Sequence, residues 1–382
     1  MEDLQSLLNT VIRKDYSNGE KIWDEWFFYE NVFSFIDVYE KFYDKYYKLT
    51  DKFDYICSLG KSGYPLAAKL AFDSKKPLLI SSMSEFIYED RTFILGLPPE
   101  SANFSVKGKK IFCVDSHTRT GGTIRLANNL ITNRQVKHIE YAVLFDCIED
   151  EKHKKSYLKS IKSLYDWETL HKPLNQMVDK SRMLNDDFWM KEDKYWLTYI
   201  KTENLKDNVQ TLPEINVTTI LTPEESKKFI TADYINPLDL YLDPKLYSTF
   251  INRLLDQLIN VDIDTFVALS VASIPIAFNL AIEQQKRFKT KKVKFIFLMN
   301  EPLQYYREKM ADATGILLCD DVIVSGGLLY AVANLLIGEN NNKKVKIIAT
   351  FFHSLQFPSA GRWYLSSVIN QTKAKYIAGI SF

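Results

Sequence analysis

No excess of charge of either sign marks this chain: 49 lysines and arginines stand against 48 aspartates and glutamates, a net charge of +1. Such a balance gives no global field to draw nucleic acid or a membrane surface, so any phosphate must be met by local dipoles and a few cations. Cysteine is scarce too. The four cysteines, Cys57, Cys113, Cys147 and Cys319, each lie in or beside an apolar run that reads as a strand. None is spaced like a metal ligand, so buried, inert thiols are expected. A long hydrophobic run is also missing, because the longest apolar segment, 315–338, is interrupted by Asp320 and Asp321 and cannot span a bilayer. The chain opens on the acidic Met1-Glu2-Asp3, unlike a signal peptide, and a cytoplasmic protein is the expectation.

Two common nucleotide motifs are absent as well. Gly60-Lys61-Ser62 invites a Walker A reading, but that loop needs glycine five residues before Gly60, where Tyr55 stands. No G-x-G-x-x-G follows either candidate first strand, so a dinucleotide fingerprint is lacking. What the chain has instead is one unusual arrangement, twice. The first runs Ile111-Phe112-Cys113-Val114-Asp115-Ser116-His117-Thr118-Arg119-Thr120-Gly121-Gly122-Thr123. The second runs Leu317-Leu318-Cys319-Asp320-Asp321-Val322-Ile323-Val324-Ser325-Gly326-Gly327-Leu328. In each, an apolar strand ends in aspartate, a short loop follows, and hydroxyl-Gly-Gly opens an apolar-periodic helix.

The 382 residues suggest two domains, and 46% hydrophobic residues with 14% aromatics suffice for two sizeable cores. Internal similarity supports that division. Leu59, Pro65, Ala67, Leu70 and Ala71 align without gaps on Leu269, Pro275, Ala277, Leu280 and Ala281, an offset of 210. The aspartate motifs align at an offset of 205, Asp115 on Asp320. Two matches in the same order predict two copies of one fold, with strands alternating with helices around a mostly parallel sheet. In copy one, strands are expected at 54–58, 77–80, 110–114 and 139–145, and helices at 31–49, from 64 through 73, and at 122–132. Copy two should place strands at 266–269, 293–298, 316–319 and 344–350, and helices at 245–259 and 327–337. The expected domains are 1–150 with a helical N-terminal extension, a middle segment 151–243, and 244–382. The middle segment begins lysine-rich and helical and carries Trp167, Trp189, Tyr195, Trp196 and Tyr199; it reads as a cap or interdomain packing piece, with a substrate lid the alternative.

In a doubly wound sheet, ligands sit beyond the carboxyl ends of the strands. A helix starting after Gly121-Gly122 points unpaired N–H groups at that rim, where its dipole favours an anion. Thr120 and Thr123 can add hydroxyl donors, and Asp115 can accept from ribose hydroxyls or hold a water of a bound Mg²⁺. Upstream, Leu59-Gly60-Lys61-Ser62-Gly63 offers glycines, a cation and a hydroxyl between strand and helix, a composition suited to pyrophosphate.

Both copies resemble type I phosphoribosyltransferase domains, whose signature is an apolar strand, two acids and then Thr-Gly-Gly-Thr. The resemblance covers most of 54–147 and 264–352 and implies two Rossmann-like α/β domains in tandem, with a helical, aromatic segment between them. It implies binding of phosphoribosyl pyrophosphate (PRPP) with Mg²⁺ and transfer of ribose 5-phosphate with release of pyrophosphate. It assigns Gly60, Lys61, Ser62 and Gly63 to pyrophosphate, Asp115 to ribose and metal, and Ser116, Thr118, Thr120, Gly121, Gly122 and Thr123 to PRPP and its 5-phosphate. Lys61 stabilises the leaving group, and Arg119 assists a phosphate or is a solvated arginine. In copy two, Asp320, Asp321, Val324, Ser325, Gly326 and Gly327 form the ligand site, with Asp320 and Asp321 as further Mg²⁺ candidates. Tyr88, Glu89, Asp90 and Arg91 fall where the family carries a mobile hood, or form a solvated turn. His117 is an acid–base candidate or an incidental histidine.

The copies depart from the signature differently. Copy one has serine as its second acid, and copy two replaces the pyrophosphate loop with Ser270-Val271-Ala272-Ser273, without glycine or cation. Chemistry is therefore expected in copy one. The alternative is a catalytically degenerate module that senses PRPP or a nucleotide or regulates a partner, for example as a defence effector. A PRPP synthetase-like enzyme fits less well, since no matching catalytic His/Lys feature is present. The expected partner is a small molecule, PRPP or a nucleotide, with a homodimer or a protein partner left open.

Overall fold

Runs rich in Val, Ile, Phe and Cys become strands here because both sheet faces are covered, and the helices between them bury a stripe against those faces. The computed structural model describes residues 2–14, 19, 21–80, 82–86, 92–96, 105–119, 121–148, 161–177, 215–227, 239–289, 292–298, 303–323, 326–337, 344–353 and 360–381. It divides into two compact units, Met1–Met183 with Leu238–Ser248, and Leu184–Pro237 with Thr249–Phe382.

The first unit opens with helix α1 (Glu2–Val11) and an antiparallel pair, β1 (Ile12–Lys14) with β2 (Lys21–Trp23). Asp24 then caps helix α2 (Glu25–Glu30), accepting from the Trp26 and Phe27 N–H groups, and pairs with the buried Arg13 guanidinium. Helix α3 (Val32–Thr50) follows, burying Val32, Phe35, Val38, Tyr39, Phe42 and Tyr46; of the face that spacing suggests, Phe33, Ile36, Tyr39, Phe42 and Tyr43, only Tyr39 and Phe42 are buried and Phe33 is 63% exposed. Next come β3 (Tyr55–Ser58), helix α4 (Tyr64–Ser74) and β4 (Leu78–Ile80). A hairpin of β5 (Ser82–Phe86) and β6 (Thr92–Gly96) flanks the expected hood residues 88–91, which lie outside the described residues. β7 (Lys110–Thr118), helix α5 (Gly122–Asn133), β8 (His138–Asp146), β9 (Lys162–Tyr165) and helix α6 (Trp167–Met177) complete this unit's main elements. The sheet runs β4-β3-β7-β8-β9, every pair parallel.

In the second unit, β10 (Val217–Thr219) precedes β11 (Thr265–Ala268), β12 (Lys294–Phe297), β13 (Ile316–Ile323), β14 (Val345–His353) and β15 (Lys375–Ser381). These order as β10-β15-β14-β13-β11-β12, again all parallel. Apart from the extra edge strand β10, the order matches that of the first sheet strand for strand. The main helices of this unit are α7 (Pro244–Leu258), whose start to Ser248 falls in the first unit, α8 (Ile274–Arg287), α9 (Leu303–Met310), α10 (Gly327–Ala331) and α11 (Ala360–Thr372).

Four expectations need correction. β7 and β13 do not end at their aspartates. They continue through Thr118 and Ile323 because β8 and β14 supply partners, His117 opposite Phe145 and Ile323 opposite His353. The boundary at 150 cuts the first sheet, since β9 pairs in parallel with β8 through Ala142–Lys162 and Phe145–Tyr165. The middle segment is not one separate piece: 161–177 belong to the first unit and β10 joins the second sheet. Its lysine-rich start and Trp189, Tyr195, Trp196 and Tyr199 lie outside the described residues, and Lys162 opens a strand rather than closing a helix. The helix expected over 327–337 is α-helical only to Ala331 and widens into a π-helix at Val332–Ile337. There the Asn334 side-chain amide donates to the Tyr330 carbonyl at 2.9 Å, occupying the acceptor that backbone 334 would use in an α-helix.

All four cysteines are buried free thiols, as expected. Among the described residues, no helix is long and apolar enough to cross a membrane. One buried charge stands out in α4. Lys69 is 1% exposed; its ammonium lies 2.6 Å from Asp73 Oδ1 and 5.3 Å from the Phe72 ring centre, and the Tyr39 hydroxyl donates to Asp73 Oδ2 at 2.7 Å.

Candidate functional site

In the first unit the two glycine loops meet at Asp115. Residues Lys61–Gly63 form a single 3₁₀ turn between β3 and α4, closed by Gly63 N–H donating to Gly60 O at 3.0 Å. Ser62 Oγ donates to Asp115 Oδ1 at 3.2 Å, and the Ser116 N–H donates to the same oxygen at 2.8 Å. Asp115 is 4% exposed, its carboxylate held from both sides. Glycine is needed at position 63, where a Cβ would stand 2.9 Å from Asp115 Oδ1 and 3.0 Å from the Val114 carbonyl. At Gly60 the missing side chain leaves a gap bounded by Asp115 Oδ2 at 3.4 Å and Thr123 Cγ2 at 3.8 Å. Thr123 therefore faces the pyrophosphate-type loop rather than turning away from it.

Gly121 caps α5 at φ 71°, a left-handed conformation that a Cβ disfavours, and its carbonyl accepts from the Arg125 N–H at 2.9 Å. Helix α5 runs twelve residues behind that turn, so its first N–H groups present a dipole end next to Asp115. Among the expected residues, Gly60, Ser62, Gly63, Asp115, Ser116 and Thr123 are thus joined by direct contacts, Lys61 gives its backbone to the turn, and Gly121 and Gly122 open the helix. Thr118 is buried near the end of β7, opposite Asp146, and Arg119 follows it half-exposed. Thr120 lies outside the described residues. His117 is on the strand, its Nδ1 3.2 Å from Ser116 Oγ and its ring 6.0 Å from that of Trp23. Asp146 was not foreseen. It is buried at the same rim, accepts from the Ile148 N–H at 3.2 Å, and its only sequence signal was the end of an apolar run.

The second unit repeats the frame with other chemistry. Leu269 N–H donates to the Cys319 carbonyl at 2.9 Å as Leu59 does to Val114 at 3.1 Å. Asp321 N–H donates to Asp320 Oδ1 at 2.9 Å, matching Ser116 and Asp115, and Gly326 caps α10 at φ 73°, matching Gly121. The loop between strand and helix differs. Ser270 and Ser273 cap each other: Ser270 Oγ accepts from Ser273 N–H and Ser273 Oγ accepts from Ser270 N–H, both at 3.2 Å. Ser270 Oγ also donates to Asp321 Oδ1 at 2.7 Å, spanning 51 residues. The spacing Ser-x-x-Ser was the only hint of this closure. Val324 and Ser325 lie outside the described residues.

Burial, and then the Asp321 charge, push the Asp320 carboxyl well above its ordinary 3.8. An acid raised on folding contributes stability that is present below 3.8 and is lost as pH rises through the folded value. Asp320→Asn keeps the Oδ1 acceptor and removes that titration. It is expected to unfold at a higher temperature than the wild type at pH 8 and close to it at pH 3.5, by thermal melts at both pH values.

Comparison with solved structures finds partial likeness. An orotate phosphoribosyltransferase from Aeropyrum pernix is 18% identical over 45% of this chain and 97% of its own, with a TM-score of 0.35. An adenine phosphoribosyltransferase from Thermoanaerobacter pseudethanolicus is 19% identical over 43% and 99%, TM-score 0.32. One from Leishmania tarentolae is 15% identical over 44% and 91%, TM-score 0.34. No curated protein matches the chain. Residues 29–175, which carry both glycine loops, Asp115 and all five strands of the first sheet, match the family described as the phosphoribosyl transferase domain.

Proposed function

We propose that the first unit is a PRPP-dependent pentosyltransferase, transferring ribose 5-phosphate to a nitrogen acceptor with release of pyrophosphate. The observation that carries this reading is the meeting of the Gly60–Gly63 turn, Asp115 and Thr123 within hydrogen-bond or van der Waals reach. Pyrophosphate sits on the amides of 60–62 with Lys61 as its cation, the ribose hydroxyls donate to Asp115, and the 5-phosphate rests on the turn of 120–123. Arg119, next along the chain, assists a phosphate. As the C1–pyrophosphate bond breaks, positive charge grows on C1 and negative charge on the leaving group, and fixed donors stabilise the latter without reorganising.

Mg²⁺ is the implied cofactor. It commonly takes one or two carboxylates together with substrate phosphates and waters. The single carboxylate of Asp115 meets that demand, with Oδ2 facing the gap at Gly60. Bound there with PRPP, the ion would neutralise charge on the departing pyrophosphate.

The second unit, with the same strand order and a closed serine loop that carries no cation, reads as a degenerate copy that supports or regulates the first. A wholly non-catalytic PRPP or nucleotide sensor remains the alternative, favoured by the serine at position 116. Pyrophosphate release from PRPP decides between them, assayed with Mg²⁺ across purine and pyrimidine bases. Turnover with at least one base supports the enzyme; PRPP binding by calorimetry without turnover supports the sensor.

A further inference from the structure

We infer that the acceptor of the first unit enters from the β8 side of Asp115, against Trp23 and Asp146, and is an uncharged, flat nitrogen ring rather than an anionic one. This deepens the proposed reading of the first unit and rests on it.

Strand order sets the side. The turn of 60–63 follows β3 and lies against Asp115 through Ser62 Oγ and Gly63, so the leaving pyrophosphate takes the β3 side of β7. Displacement at ribose C1 brings the nucleophile in opposite the departing oxygen. The sheet runs β3-β7-β8, so the opposite side is the rim of β8. There Thr118 and Asp146 stand directly opposite each other, both buried. The Asp146 carboxylate accepts from the Ile148 N–H at 3.2 Å, and a carboxylate has about four acceptor sites, enough for a ligand donor as well. The frame itself does not ask for an acid at this point. In the second sheet the residue facing Ile323, the counterpart of Thr118, is His353.

The N-terminal hairpin covers the same rim. Its Trp23 ring stands edge-on to Phe145, centres 5.2 Å apart, and 6.0 Å from the His117 ring. Phe145 and His117 are the cross-strand pair one step before Asp146 and Thr118. Asp24 locks the hairpin behind Trp23, its N–H donating to the Val11 carbonyl at 2.7 Å and its carboxylate paired with Arg13. Trp23 is 9% exposed, yet its indole N–H has no hydrogen-bond partner among the described residues. A donor buried unpaired costs free energy, and an acceptor atom on a ligand recovers it. One donor, one carboxylate and an aromatic wall suit a planar ring that presents both an N–H and a lone pair. The same carboxylate repels an acceptor that carries its own negative charge.

Pyrophosphate release from PRPP with Mg²⁺ tests this, with adenine, guanine, hypoxanthine, cytosine and uracil as uncharged acceptors and orotate and nicotinate as ring carboxylates. At least one uncharged base should turn over, and neither carboxylate should exceed about a hundredth of its kcat/KM. Trp23→Phe keeps a ring and loses the N–H. It should raise KM for that base about tenfold, the scale of one buried hydrogen bond, and leave KM for PRPP unchanged. Asp146→Asn should narrow the gap between the base and the carboxylates; if that variant fails to fold, Trp23→Phe still decides. A ring carboxylate as good as the best base overturns the inference. So does a folded Trp23→Phe protein with both KM values unchanged or both raised alike, or a gap unchanged in folded Asp146→Asn. No turnover with any acceptor sinks the first-unit reading instead. Calorimetric titration of the same bases into the full chain then judges the rim. Binding of an uncharged base that weakens about tenfold in Trp23→Phe sustains it. No base binding, or binding indifferent to both variants, overturns it.

Discussion

Asp115→Asn is expected to lower kcat/KM for pyrophosphate release by about 10²–10³-fold, roughly 2.7–4 kcal/mol of transition-state stabilisation, the scale seen when one positioned polar group is lost from an active site. Asparagine keeps an oxygen that can accept from Ser62 Oγ and the Ser116 N–H, so the turn and strand should hold their places. What disappears is the negative charge that the proposed reading assigns to the ribose hydroxyls and to Mg²⁺. Fold and chemistry are thereby separated: a melting temperature within a few degrees of the wild type, together with the rate loss, is the expected pair of results. An unchanged rate would remove Asp115 from the chemistry, whatever the family match implies.

A second large effect lies away from the chemistry, in the helix that carries the pyrophosphate-type loop. Asp73→Leu takes away the carboxylate that faces the buried ammonium of Lys69 and accepts from the Tyr39 hydroxyl. Breaking one half of a buried ion pair costs roughly 3–5 kcal/mol, because a charge is left in low dielectric. For a unit of this size that is about 6–20 °C in melting temperature. Adding Lys69→Met to the same protein should return most of the loss, since replacing both partners with apolar groups is often neutral or stabilising. A double-mutant cycle of melting temperatures measures the coupling, and additive losses would show that Lys69 and Asp73 do not stabilise α4 as a pair.

Much of the site was legible because its chemistry is local. A strand, an aspartate and a glycine pair before an apolar helix specify a turn at φ near 70°, and both Gly121 and Gly326 adopt it. The internal alignment was equally readable: strands Tyr55–Ser58 and Thr265–Ala268, and the 3₁₀ turns at Lys61–Gly63 and Val271–Ser273, sit at the offset of 210 found in the sequence. What escaped was non-local. Ser116, His117 and Thr118 look like loop residues, and only pairing with β8 makes them strand. Lys162–Tyr165 follows a lysine-rich stretch and is strand only because Ala142–Phe145 lies beside it. The Ser270–Asp321 bond joins residues 51 apart, and Lys69 reads as an ordinary helix-surface lysine until its surroundings are known.

The all-parallel order of the first sheet has a consequence for how the protein is made. β3 is interior, yet its partner on one side arrives much later in the chain, Tyr55 pairing with Ile111. At the roughly 5–20 residues per second of ribosomal synthesis, those 56 residues take about 3–11 seconds. During that interval a strand of Tyr, Ile, Cys and Ser has helices α1–α4 and the short Leu78–Ile80 strand beside it, but no partner on its β7 side. Nascent chains of this protein must therefore pass through a stage in which the edge destined for β7 stands open, its amides and carbonyls still bonded to solvent.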